Sequence, residues 1–191
     1  MTIQYYVASS LDGFIADSDD RIDWLLRFGT SDFDEGYQRF LAGVGAIVMG
    51  SRTYEFLLSE GMSDWPYSVP TVVLTRRDLP LAVAGADIRF LSCDIGAVAA
   101  ELGALSGDRA VWVVGGGDVA AQFAAAGLLS TVIVTMMPVV LGSGVRLLPV
   151  VDQLELELVS SVPLPQGAIE LTYAVEGSPE AERGNSERVN S

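Results

Sequence analysis

Three short stretches place residues suited to anion chemistry just beyond apolar runs. In VWVVGGGDVAAQF, residues 111 to 123, Val111 to Val114 read as a buried strand and Asp118 to Phe123 open a helical pattern. Gly115, Gly116 and Gly117 between them permit backbone angles closed to other residues and let a ligand touch the main chain. A helix starting there offers unpaired N–H groups and the positive end of its dipole, which together suit a phosphate. AIVMGSRTYEFL, residues 46 to 57, repeats the pattern, with Gly50 after a strand and Ser51, Arg52 and Thr53 opening a helix. VVLTRRDLP, residues 72 to 80, puts Thr75, Arg76 and Arg77 at a third strand end. In a parallel sheet ligands gather at the carboxyl ends of strands, so three such turns point to one ligand with several phosphates. Plain structural roles are available too: glycines that only allow tight strand–helix packing, Asp118 as an N-cap, and Arg76 and Arg77 in a solvated loop.

Gly115, Gly117 and Ala120 fit the loose pattern G-x-G-x-x-G/A, but an ordinary Rossmann domain is rejected. The motif falls in the fifth strand–helix step, and the following VTMMPVVLG offers no carboxylate for a ribose.

The elements that must carry these turns follow from periodicity. Strands are predicted at about 3–9, 45–49, 71–75, 88–91, 110–114, 130–136, 154–160 and 168–175, with helices at about 32–42, 52–59, 94–105 and 118–127. Their alternation predicts an α/β fold, three layers deep, around a mainly parallel eight-stranded sheet. LELELVS and IELTYAV alternate apolar with polar residues, which predicts an antiparallel C-terminal pair at the sheet margin with one wet face. A single domain is expected over residues 1–176, with a disordered polar tail over 177–191.

Composition removes whole classes of chemistry. The chain has no His, and all 11 basic residues are Arg, which rules out His-assisted nucleophiles, His-ligated zinc, lysine Schiff bases and the phosphate-loop lysine. Acid–base work falls to a carboxylate, a Tyr or water, and a cofactor is expected to carry the reaction. A net charge of −14 argues against nucleic-acid and anionic-membrane partners while leaving room for a small phosphorylated ligand held by a few Arg. No apolar run reaches the roughly 18 residues of a membrane span, the N-terminus lacks a basic leader and Cys93 is alone, so a cytoplasmic protein without bound metal is expected.

Six collinear stretches, YYVASSLDGFIA, IDWL, VMGSRTYE, VVLTRR, VWVVGGGDVAAQF and MPVVLGSGVRLLP, resemble the dihydrofolate reductase superfamily. Within it they are most similar to the C-terminal reductase domain of the bifunctional riboflavin-biosynthesis deaminase–reductases. The resemblance implies a dihydrofolate-reductase-like fold with NADPH across the strand ends. Gly115, Gly116 and Gly117, between Val114 and Val119, would take the pyrophosphate; Gly50, Ser51, Arg52, Thr53, Thr75, Arg76 and Arg77 would surround the adenosine and its 2′-phosphate. Ala8 would lie against the nicotinamide. Members commonly have Arg directly after the glycine of the M-G stretch, where this chain has Ser51. They often have a neutral or basic residue where it has Asp118, which is expected to turn inward as the helix cap.

On the substrate side, the resemblance implies Asp34 as the carboxylate that contacts a heterocycle, with Asp32 the competitor and Thr135 in support. Trp24 and Phe33 would wall the pocket, and Arg146 is the best partner for a substrate phosphate. The implied activity is NADPH-dependent reduction of a pteridine-like or aminouracil-like heterocycle, most like the 5-amino-6-(5-phosphoribosylamino)uracil reductase. Dihydrofolate reduction and a non-catalytic nucleotide-binding role are the alternatives. The apolar PVVLGSGVRLLPV stretch is expected to pair two copies in a homodimer.

Overall fold

The computed structural model of the protein describes residues 1–59 and 65–178; the expected polar tail, from residue 179 on, lies outside the described residues. The chain runs β1 (Ile3–Ser10), β2 (Phe14–Ala16), α1 (Asp23–Leu26), α2 (Asp34–Ala42), β3 (Val44–Gly50) and α3 (Ser51–Ser59). It continues through β4 (Thr71–Leu74), β5 (Ile88–Leu91), α4 (Ile95–Ser106), β6 (Ala110–Val113) and α5 (Gly117–Ala125). The last strands are β7 (Thr131–Met137), β8 (Val145–Arg146), β9 (Leu156–Pro163) and β10 (Ile169–Val175).

Eight strands form one sheet in the order β5-β4-β3-β6-β1-β7-β10-β9. The first six are parallel, because each crossover carries its strand back to the same edge, and β10 runs antiparallel to both β7 and β9. The remaining two strands, β2 and β8, make a small ladder of their own that periodicity did not reveal, since elements this short carry no period. The ladder forms inside the chain and uses part of the stretch expected to pair two copies.

Strand alternation divides the core. On one face α4 and α5 bury Val98, Leu102, Ala120 and Phe123 against Ile3, Tyr5, Val48, Val111 and Val113. The other face is aromatic: Tyr37 and Phe40 of α2 and Tyr54 of α3 pack with Trp112, Ile47, Met49 and Val73. Phe40 and Trp112 meet edge-to-face at 5.3 Å, Tyr67 and Trp112 at 5.7 Å, and Tyr6 lies 4.5 Å from Phe40. Burial, reinforced by nearby Glu170, pushes the Tyr6 phenol up to about 12. Burial likewise raises Tyr5 and Tyr67.

The margin departs from expectation. β9 is exposed along its whole length, so its alternation marks two wet faces instead of one: among the described residues no helix covers either side of this edge strand. Leu158, Val159 and Val162 stand in solvent there.

Two outcomes follow from this packing. A Cβ on Gly45 would sit 2.3 Å from the Ser106 carbonyl oxygen at the end of α4, so Gly45→Ala forces helix and sheet apart. Overpacking of this kind costs about 1–3 kcal/mol, readable as a lower urea midpoint. The tyrosines set an alkaline limit. Their phenols stay protonated in the fold where the unfolded chain ionises, so this contribution is full below pH 10 and is lost as pH rises towards about 12. Urea melts should therefore show stability falling above pH 10, and Tyr6→Phe should flatten part of that fall.

Candidate active site

β4, β3 and β6 are neighbours in the sheet, and their registers (Gly50 opposite Leu74, Val48 opposite Val113) bring their carboxyl ends to one level. The three turns singled out in the sequence therefore lie side by side on one edge. They also touch. A Cβ on Gly50 would come 3.3 Å from Val119, and one on Gly115 would come 2.8 Å from the Thr53 hydroxyl.

The glycines serve separate purposes, which corrects the expectation that a pyrophosphate fills all three spaces. Thr53 fills the space beside Gly115, and at Gly117 the carbonyl oxygens of Arg146 and Leu147 stand 2.5 Å from where a Cβ would be. Gly116 differs: it caps α5 in a left-handed conformation, φ +43°, with nothing nearer than 3.7 Å to its missing Cβ. The N–H groups of Gly115, Gly116, Gly117 and Asp118 enter no hydrogen bond among the described residues. An open Gly116 with unpaired amides at the start of a nine-residue helix fits a pyrophosphate.

Asp118 does not turn inward. Because Gly116 occupies the cap position, the carboxylate falls in the first turn of α5 and is exposed, lining a groove of about 470 Å³ with Gln122, Pro149 and Asp152. Among the cations, Arg77 forms a paired bridge to Glu55 of α3 at 3.0 and 2.6 Å, and the Thr75 hydroxyl accepts its backbone N–H at 2.9 Å. Arg52 and Arg76 are exposed and join no ion pair among the described residues, which leaves these two free for a phosphate. Ser51 is half-buried at the start of α3.

Ala8 is half-buried near the end of β1, opposite Thr135 of β7. Two residues further along β7, Met137 packs with Trp24 and Ala168, and Phe33 joins them, so both predicted wall residues sit beyond Thr135 on the α2 face. Trp24 is buried with its indole N–H unpartnered. Asp34 behaves otherwise than expected: it is exposed at the first position of α2, and its carboxylate meets Gln38 at 3.4 Å instead of Thr135. Asp32 is engaged by Gln166, whose amide donates at 2.9 Å. Thr135 is buried beside Tyr6, whose hydroxyl donates to Glu170 Oε2 at 3.2 Å. Sequence reasoning missed Tyr6 and Glu170. Alternation in IELTYAV puts Glu170 on the face opposite Leu171, but only the sheet order tells that α2 and Tyr6 partly cover that face.

Arg146 sits in β8, exposed, around a hollow of about 380 Å³ with Asp12, Gly13, Phe14, Leu147 and Leu148. Asp12 ties the β1–β2 loop to the loop before β8, accepting the N–H groups of Leu141 at 3.0 Å and Gly142 at 2.7 Å. These amides hold its carboxyl down at about 2. Among the described residues no cluster of side chains could hold a metal ion, and no helix is long and apolar enough to cross a membrane.

The chain is similar in sequence and fold to known proteins. A curated relative, the uncharacterised protein YwjB of Bacillus subtilis (strain 168), is 32% identical over 142 residues, covering 74% of this chain and 79% of its own. A protein of Shewanella sp. PV-4 named for riboflavin biosynthesis superposes with a TM-score of 0.81 at 27% identity, over 92% of this chain and 99% of that one. Acinetobacter baumannii RibD superposes at 0.71 with 20% identity, over 91% of this chain, which spans 57% of that protein. An Enterococcus faecalis dihydrofolate reductase complexed with NADP(H) shares the fold at 0.61 with 17% identity, over 92% of this chain and 96% of its own. The RibD C-terminal domain matches residues 1–169, and with the sheet and its aligned turns already described, the chain belongs to the RibD C-terminal domain family, a family of the reductase type.

Proposed function

We propose that the protein is an NADPH-dependent reductase of an aminouracil-like or pteridine-like heterocycle, of the riboflavin-pathway type. One observation carries this: the turns after β4, β3 and β6 stand side by side, with unpaired amides at Gly116 and two unpaired arginines on the same edge. The amides of Gly115 to Asp118 hold the pyrophosphate, while Arg52 and Arg76, with Thr53 and Thr75 beside them, face the 2′-phosphate. Bound there, the nicotinamide supplies the hydride. Ala8, small and half-buried, leaves room for a flat ring against β1. The chain contributes orientation and a water-poor aromatic floor, consistent with its lack of His and Lys. Family membership supports the reductase chemistry, and the NADP(H)-bound dihydrofolate reductase of the same fold supports the choice of cofactor.

Two measurements test this. Titration with NADPH should quench tryptophan fluorescence, and Gly116→Val should abolish the quenching with the circular dichroism spectrum retained, because a side chain there is strained at φ +43° and enters the phosphate cradle. Quenching that survives the substitution would overturn the assignment of the glycine turn. Replacing Arg52 and Arg76 together with Ala should weaken NADPH by about tenfold or more and NADH little, since only NADPH carries the 2′-phosphate. NADPH oxidation assayed against dihydrofolate and the riboflavin aminouracil separates an enzyme from a protein that binds the nucleotide without turnover.

A further inference from the structure

We propose that Glu170, rather than Asp34, is the carboxylate that binds the N–H edge of the heterocycle, with Tyr6 as its positioning residue. This rests on the reductase reading above and names the group that would orient the ring. Ladder register puts Ala8 opposite Thr135 and Thr135 opposite Glu170, so the three residues cross β1, β7 and β10 in one row. Directly paired residues share a face, and this row lies on the face covered by α2. Tyr6, two residues before Ala8 on β1, points to the same side and reaches Glu170 Oε2 at 3.2 Å.

The tether has a defined direction. Tyr6 keeps its proton, since burial and Glu170 both raise the phenol, so it donates and the carboxylate accepts. Thr135, paired with both Ala8 and Glu170 in the ladders, is the neighbour of that tether on β7. One carboxylate oxygen is thereby fixed, while Oε1 has no partner among the described residues. A half-buried carboxylate held in one orientation, with an acceptor to spare, suits paired N–H donors such as those of an amino-substituted pyrimidine. Asp34 lacks these features: it is exposed, and water competes for any donor offered to it.

Calorimetric titration with 5,6-diaminouracil tests the assignment on the whole chain, alongside NADPH binding followed by fluorescence. Glu170→Gln should weaken diaminouracil by about tenfold or more, the loss expected of a charge-assisted hydrogen bond, and leave NADPH affinity and the urea midpoint close to wild type. Tyr6→Phe should weaken it less, by freeing the carboxylate without removing it. Asp34→Asn should have little effect. Equal affinity in Glu170→Gln and wild type, a loss confined to Asp34→Asn, or no binding by the wild type up to the solubility limit each overturns the proposal. If diaminouracil binding depends on Glu170 while NADPH fails to bind, the reductase reading falls and this assignment stands. If NADPH binds and diaminouracil ignores Glu170, only the assignment falls.

Discussion

The alignment of parallel strand ends governs everything else in this molecule. Because β4, β3, β6, β1 and β7 all run the same way, the peptide groups and side chains that follow them collect along one edge. Turns far apart in sequence then become neighbours, as the contact between Thr53 and Gly115 illustrates. A parallel sheet needs helices on both faces to bury its apolar strands, and the same crossovers place helix N-termini at that edge. Site and scaffold are thus consequences of one choice of strand direction.

The two faces of the sheet take different work. The face under α4 and α5 is mainly aliphatic, with Val, Leu and Ala filling the space between helix and strand around Tyr5 and Phe123. The opposite face is built from rings that meet at tilted or edge-on angles, with polar groups among them at Thr71 of β4 and again towards β7 and β10. Tyr6 stands where rings and polar groups meet: its ring packs on Phe40 and its hydroxyl reaches Glu170.

Much of this was legible in the residues. Apolar runs located all eight strands of the main sheet, and the Gly, Thr and Arg that follow three of them picked out the turns that the sheet brings side by side. What stayed hidden depends on contacts between distant segments. That Gly117 is needed for the 146–147 backbone, and Gly115 for Thr53, cannot be read from a run of glycines, since a ligand and a neighbouring strand ask for the same missing Cβ. Glu170 looked like an outward residue because period-two alternation separates faces without saying which is covered. β9 misled in the opposite sense: its leucines alternate as if half were buried, although the sheet ends there. Asp34 was carried over by sequence position, whereas its exposure depends on where α2 begins.

Asp12 has a mechanical meaning beyond its charge. By accepting two consecutive amides from the loop before β8, its side chain joins a segment near the start of the chain to one some 130 residues later. Neither loop can then swing alone. Since Arg146 and the carbonyls behind Gly117 follow directly from the second loop, a shift in the first is transmitted to the floor under the glycine turn. The rim of the hollow around Arg146 is therefore jointed like a single strap, anchored by a carboxylate whose two amide donors favour its charged form.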